Sequence, residues 1–123
     1  PSRHPKLAKA LRLAQEHLDN NDQVNTFELA KMVNTSTRHL GRLFEQELGD
    51  TPARHLLKLR LERARQLLRR THISLFEIAI ATGFVSSSHF SRTYKAHYLV
   101  TPSQERSSVV PDKRLMMDAS FET

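Results

Sequence analysis

Several residue types are absent or scarce in this sequence of 123 residues, and each absence narrows the class of protein. There is no cysteine, which excludes disulfide bonds and thiolate metal sites. No run approaches the roughly eighteen apolar residues of a membrane-spanning helix, and no secretion signal opens the sequence. We therefore expect a soluble, cytoplasmic protein that forms one compact unit or two very small ones, with no membrane partner.

The usual signatures of catalysis are also missing. With three glycines there is no glycine-rich phosphate loop, and no Ser/His/Asp set has a recognisable spacing. None of the seven histidines lies four residues from another, as the two ligands of a helical metal site would. We expect no enzymatic activity, no cofactor and no metal site.

Positive charge is what the sequence has in excess. Nineteen Lys and Arg face thirteen Asp and Glu, which gives a net charge of +6, and residues 36–106 hold twelve of the basic residues and six of the acidic ones. A concentrated basic excess indicates a polyanionic partner. The eight aromatic residues include no Trp and leave little for stacking on unpaired bases, which favours duplex DNA over single strands.

Apolar residues recur at helical spacing over most of the sequence, so the fold is predicted to be all-α with about seven helices. The first helix should run from about Pro5 to Leu18, because Leu7, Leu11 and Leu18 share one face. A polar segment at residues 20–22 should end it.

An internal repeat relates residues 25–52 to residues 74–102. When the sequence is aligned with itself at an offset of 49 residues, residues 25–30 match residues 74–79. An offset of 50 residues aligns the later part of each copy. The pairs aligned by the second offset are Ser36 with Ser86, His39 with His89, Leu40 with Phe90, Arg42 with Arg92, Phe44 with Tyr94, Thr51 with Thr101 and Pro52 with Pro102. The second copy therefore has one additional residue in its turn.

Each copy carries the local signals of a helix-turn-helix unit. Asn25 and Ser74, each followed three residues later by glutamate, have the capping-box pattern that starts a helix. Asn34 and Gly83 stand where the chain must turn, because both residue types tolerate a left-handed conformation. A serine then caps the second helix of each copy. The second helix of the first copy is predicted to bury Leu40, Leu43, Phe44 and Leu48. That of the second copy is predicted to bury Phe90, Tyr94 and Tyr98.

A long helix should join the two units. Thr51 and Pro52 supply its N-cap and first turn, and its apolar face continues to about Arg70. Nineteen residues would span about 28 Å, close to the separation of about 34 Å between successive major grooves on one face of a duplex. The predicted divisions are a first unit at 5–51, the connecting helix at 52–70, a second unit at 71–106 and a loosely ordered tail at 107–123.

Five basic residues of the connecting helix differ in their position relative to its apolar face. Arg54, Lys58, Arg65 and Arg69 form a stripe beside the apolar face, which we interpret as a solvated surface that steers DNA from a distance. Arg60 falls inside the apolar face. An unpaired charge there would be costly, so we expect Arg60 to pair with a carboxylate such as Glu28 or Glu77.

The second copy resembles a known signature. The segment Phe84-Val85-Ser86-Ser87-Ser88-His89-Phe90-Ser91-Arg92, with Ile78-Ala79, Gly83, Tyr94 and Thr101-Pro102, resembles that of AraC/XylS-type transcription regulators. The first copy is similar to the same family, and the resemblance covers about residues 5–106. Asn34 and Leu99 depart from it, since glycine is usual at both positions. Residues 3–5 and 59–65 are similar to the subgroup with an amidotransferase-like N-terminal domain.

The resemblance and the repeat together give the candidate DNA-binding residues. They are Thr37, Arg38, His39, Gly41 and Arg42 in the first unit, and Ser87, Ser88, His89, Ser91, Arg92 and Lys95 in the second. Arginine can hold guanine with two hydrogen bonds, although each of the three arginines could instead be an exposed side chain on a helix surface. The serines could reach only phosphate or water, and the histidines could serve a local bond that shapes the turn.

The resemblance implies that the protein binds double-stranded promoter DNA, contacts RNA polymerase and activates transcription. It also implies a longer parent protein with a separate effector or dimerisation domain. The alternative is a helical interaction module that docks on RNA polymerase or another regulator, with incidental DNA binding.

Overall fold

The computed structural model describes residues 4–109, and all regular structure in that range is helical. Seven helices follow one another: α1 (Pro5–Asp19), α2 (Thr26–Met32), α3 (Thr37–Leu48), α4 (Pro52–Arg70), α5 (Leu75–Ala81), α6 (Ser87–Tyr98) and α7 (Pro102–Ser107). The predicted all-α fold is therefore confirmed. Helices α2 and α3 form the first helix-turn-helix pair, α5 and α6 form the second, and α4 joins them.

Side-chain caps determine where the helices start. In every one of the seven, the residue before the first turn accepts a hydrogen bond from a backbone N–H within that turn. A Ser, Thr or Asn cap, as in all of these helices except α1, stabilises a helix by about 1 kcal/mol. The capping box predicted at Asn25 and Glu28 is complete. At Ser74 and Glu77, within the described residues, only the bond accepted by Ser74 forms, so that prediction is half wrong.

Left-handed residues determine where the helices end. Asn34 (φ 58°) and Gly83 (φ 84°) form the two turns, as predicted. Gly49 (φ 65°) and Leu99 (φ 66°) end α3 and α6 in matched positions. Leucine thus takes the conformation that glycine takes in the first unit, and α6 ends where its counterpart ends.

Two hydrophobic cores are joined through α4. The first lies between α1, α2 and α3 and includes Leu7, Leu29, Leu40, Leu43 and Phe44. The second lies between α4, α5 and α6 and includes Leu61, Leu68, Ile78, Phe90 and Tyr94. Leu56 and Leu59, on the first half of α4, pack against the first core, whereas Leu61, Ala64 and Leu68 belong to the second. One stiff helix is therefore a structural part of both units.

Three sequence-based expectations need correction at helix ends. Leu48 is 38% exposed, because it is the last residue of α3 and lies where the chain leaves the core. Tyr98, at the end of α6, is only partly buried. Helix α7 continues to Ser107, one residue beyond the predicted end of the second unit. The rest of the tail prediction falls mostly on residues 110–123, which lie outside the described residues.

Two further observations concern residues 4–109. No helix there has both the length and the apolar character needed to cross a bilayer. The same residues contain no group of three or more histidine, aspartate or glutamate side chains that could hold a metal ion.

Candidate DNA interface

Helices α3 and α6 have the same construction. Each follows a tight turn and starts at a serine whose hydroxyl accepts a 3.0 Å hydrogen bond from the backbone N–H of a histidine, His39 or His89. Each buries one face in its own core, through residues such as Leu40 and Phe44 or Phe90 and Tyr94. The opposite face of each helix remains in solvent.

All eleven candidate residues lie on these two helices, and none is buried. The exposed ones are Thr37, Arg38, Arg42, Ser88, His89, Arg92 and Lys95, and the half-buried ones are His39, Gly41, Ser87 and Ser91. Arg42 and Arg92, which the repeat pairs, are both exposed. Their contact with DNA stays a prediction.

Gly41 leaves open space on the surface of α3. A Cβ atom added at this residue would meet no atom within 4 Å. Packing within the described chain therefore does not require glycine here. An open backbone surface in the middle of an exposed helix allows another molecule to approach closely.

Both histidine rings take part in local packing. The ring of His39 lies edge-on to that of His4, with centroids 6.1 Å apart, and the ring of His89 lies edge-on to that of Phe84 at 5.5 Å. The contact of His89 with Phe84, the residue after Gly83, fits the predicted role of shaping the turn, whereas His39 contacts the N-cap residue of α1 rather than its own turn. These contacts leave part of each ring accessible, so a second role in contacting DNA stays a prediction.

The expected partner of Arg60 was wrong. Its guanidinium does not pair with Glu28 or Glu77 in the described structure but donates to backbone carbonyls, from Nε to Thr82 at 2.7 Å and from a terminal nitrogen to Gly83 at 3.0 Å. It also lies 4.3 Å from the centroid of the Phe84 ring. Carbonyl acceptors and a ring face satisfy the charge without a carboxylate. Burial lowers the pKa of Arg60.

Sequence reasoning missed Glu105, which lies at the base of α6. Its carboxylate is almost fully buried and accepts hydrogen bonds from the Tyr94 hydroxyl at 2.8 Å and from Arg69 at 3.0 Å, while Arg65 lies 3.2 Å away. Burial acts to raise the pKa of Glu105, but the bonds from Tyr94 and Arg69 and the nearby charges outweigh it and hold the pKa below its usual value. Burial, followed by the bond to Glu105, raises the pKa of Tyr94.

This network also corrects the interpretation of the basic stripe on α4. Arg65 and Arg69 pair with Glu105, and Lys58 donates a 2.9 Å hydrogen bond to Asp50. The three side chains are still 43–52% exposed, so their charges face solvent as well as these partners. Three of the four residues of the stripe are therefore part of the tertiary structure rather than a purely solvated face.

The structure has two helix-turn-helix pairs joined by α4, and the second helix of each pair, α3 or α6, has one face in solvent. This arrangement defines a class of protein, the double helix-turn-helix DNA-binding domains. The sequence profile of a family described as a helix-turn-helix domain matches residues 29–108. The transcriptional regulator CdhR of Pseudomonas aeruginosa is 42% identical over 108 residues, which are 88% of this chain and 31% of CdhR. The chain thus spans about a third of the length of this curated relative.

Solved structures give the same result. A transcriptional regulator from Chromobacterium violaceum with an AraC-type DNA-binding domain is 44% identical and has a TM-score of 0.78, covering 84% of this chain and 90% of the other. The DNA-binding domain of the global transcriptional factor AdpA, solved with a target DNA, is 27% identical and has a TM-score of 0.77. The match covers 85% of this chain and 93% of the AdpA domain. The chain belongs to the AraC-type helix-turn-helix family of DNA-binding domains.

Proposed function

We propose that this chain is the DNA-reading part of a bacterial transcription regulator, and that it places α3 and α6 in two successive major grooves of promoter DNA. One observation carries the proposal. Arg42 and Arg92 occupy matched positions on two helices whose inner faces fill separate cores, so that both arginines remain exposed. The solved AdpA domain, which has the same fold, was bound to a target DNA.

In this proposal base edges and phosphates are contacted by different residues. Arg38, Gly41 and Arg42 face the bases of one groove, and Ser87, Ser88, Ser91 and Arg92 face those of the next. Thr37, His39, His89 and Lys95 contact the phosphate backbone beside them. Phosphate contacts then supply most of the affinity, while the arginines supply most of the sequence selectivity.

The two reading helices differ in charge. Helix α6 carries Arg92 and Lys95 and no acidic residue, whereas α3 carries Arg38 and Arg42 in its first half and Glu45 and Glu47 in its second half. We expect only the first half of α3 to lie close to phosphates, because carboxylates near the backbone of DNA would be repelled.

The larger protein and its partners are also part of the proposal. The domain extends to Ser107, with a first unit at 5–51, the connecting helix at 52–70 and a second unit at 71–107, within a longer parent that carries an effector or dimerisation domain. The regulator acts in the cytoplasm, contacts RNA polymerase and activates transcription. It uses no enzymatic step and no cofactor.

The direct test is selection of bound duplexes from a random DNA pool. The expected result is enrichment of two short base sequences, here called boxes, whose centres lie about one turn of the DNA helix apart. Binding to the recovered duplex should exceed binding to a scrambled duplex, and both affinities should fall steeply with salt. Recovery of no common sequence, with equal affinity for the two duplexes, would overturn the proposal.

A second candidate function is docking on another protein, such as RNA polymerase. The supporting observation is a set of exposed apolar side chains on and after α5: Phe76 at 60%, Ile80 at 50% and Val85 at 86% exposure. Apolar surface of this kind is more common in protein interfaces than on a free helix. Binding to purified polymerase that changes little with salt, without preference for any duplex, would favour this function.

A further inference from the structure

The two helix-turn-helix units meet at the turn of the second one. The carbonyls of Thr82 and Gly83 both accept hydrogen bonds from Arg60, which belongs to the connecting helix α4. The same guanidinium lies over the ring of Phe84, whose side chain is 3% exposed. The planar fork of an arginine, held by two acceptors and a ring face, fixes the turn relative to the axis of α4.

The first unit reaches the same turn through Gln23, in the connection between α1 and α2. A Cβ atom on Gly83 would lie only 2.7 Å from Cδ of Gln23, so the glutamine side chain packs directly against the glycine backbone. Gly83 also has a φ of 84°, which L side chains rarely adopt. Gly83 is therefore contacted by two parts of the chain. Arg60 of α4 donates a hydrogen bond to its carbonyl, and Gln23 of the first unit packs against its backbone.

The position of this turn determines the direction of α6. Ser86, the N-cap of α6, lies three residues after Gly83, and Phe84 packs between the turn and the second core. A rotation of the turn would rotate α6 relative to α3. We propose that Arg60 and Gln23 are positioning residues that set the offset between the two reading helices, and with it the box spacing that the protein accepts. This inference rests on the proposed function.

The first unit provides a matched control. The Nζ of Lys6, on α1, donates a 2.9 Å hydrogen bond to the carbonyl of Asn34, the residue that the repeat aligns with Gly83. A basic side chain thus binds the turn in both units. Lys6 and Asn34 lie in the same unit, however, so their bond does not link the two units.

The experiment measures affinity for the selected duplex and for versions with one base pair added or removed between the boxes. Each change moves the second box by about 3.4 Å and rotates it by about 34°. We expect wild type to lose affinity about tenfold or more at the wrong spacing, because both helices can no longer bind together. Arg60→Met, which keeps the apolar stem, should reduce this penalty to about threefold or less, and Gln23→Ala should give an intermediate penalty.

Lys6→Met should keep the wild-type penalty, and circular dichroism should show that all variants are folded. A folded Arg60→Met or Gln23→Ala protein with the full wild-type penalty would overturn the inference. Gln23 is exposed, so its variant keeps the test available if Arg60→Met does not fold. A wild type that binds scrambled DNA as well as the selected duplex would instead refute the proposed function.

Discussion

The hydroxyl of Tyr94 donates a 2.8 Å hydrogen bond to Oε1 of Glu105, and this bond connects the buried side of α6 to α7. Arg65 and Arg69 bring α4 to the same carboxylate. The Glu105 side chain, which is 5% exposed, therefore joins α7 to both α4 and α6. The helix proposed to read the second box is held in place by a polar network beneath it, in addition to its apolar core.

Replacing this carboxylate should destabilise the second unit. Glu105→Gln keeps the shape of the side chain and an acceptor for Tyr94 but removes the charge that Arg65 and Arg69 bind. Both arginines are partly exposed and can regain water, so we expect a loss of about 1–2 kcal/mol in the free energy of unfolding. Chemical denaturation measures it. Glu47→Gln, at an exposed position on α3, should change the free energy of unfolding by less than about 0.5 kcal/mol. Equal effects of the two substitutions would contradict the claim that the buried charge of Glu105 stabilises the second unit.

The same network should make stability depend on pH. Because folding lowers the pKa of Glu105 below its usual value of 4.5, its contribution is complete above pH 4.5 and is lost as pH falls through the lower pKa of the folded state. Asp22 and Asp50 also have lowered pKa values, so wild type alone does not isolate this effect. The difference in unfolding free energy between wild type and Glu105→Gln should shrink as pH falls below 4.5. A difference that stays constant or grows on acidification would contradict the assigned shift.

Leu99 should be replaceable with a gain in stability. It has a φ of 66° and is 81% exposed, so it bears the cost of a left-handed conformation with little packing in return. Leu99→Gly should raise the free energy of unfolding by about 0.5–1 kcal/mol. Gly49→Ala, at the matched position in the first unit, should lower it by about 1 kcal/mol. Thermal unfolding of the two variants checks both signs, and a destabilised Leu99→Gly would show that its side chain has a role that exposure does not indicate.

The sequence predicted the features that arise from local chemistry. The caps at Ser36 and Ser86, the turns at Asn34 and Gly83 and the extent of α4 each depend on a few neighbouring residues, and the structure confirms them. The internal repeat supplied the pairing of the two reading helices, because a duplicated unit repeats its exposed positions as well as its buried ones.

The features that the sequence did not predict depend on distant contacts. Arg60 binds carbonyls 22 and 23 residues away, and Arg69 binds a carboxylate 36 residues away. Periodicity correctly placed Arg60 on the apolar face of α4, but it could not show that a turn would present two carbonyls there. Glu105 lies in a short polar helix, where nothing in the local sequence indicates burial.

Gly41 offers a test that separates stability from binding. Since a Cβ there would meet nothing within 4 Å, Gly41→Ala should stabilise the free protein by about 1 kcal/mol through helix propensity. In the proposed complex the same methyl group would lie between α3 and DNA and should weaken binding. Thermal unfolding and DNA titration of one variant give both values. A more stable protein with unchanged affinity would show that DNA does not approach this part of α3.

The most direct test of the two-groove account is to titrate Arg42→Ala and Arg92→Ala against duplexes in which one box at a time is altered. We predict that each substitution costs about 1–3 kcal/mol on the selected duplex, that Arg42→Ala loses discrimination at one box, and that Arg92→Ala loses it at the other. Equal losses on selected and scrambled DNA, or loss of discrimination at the same box by both variants, would contradict the claim that α3 and α6 read separate segments of one duplex.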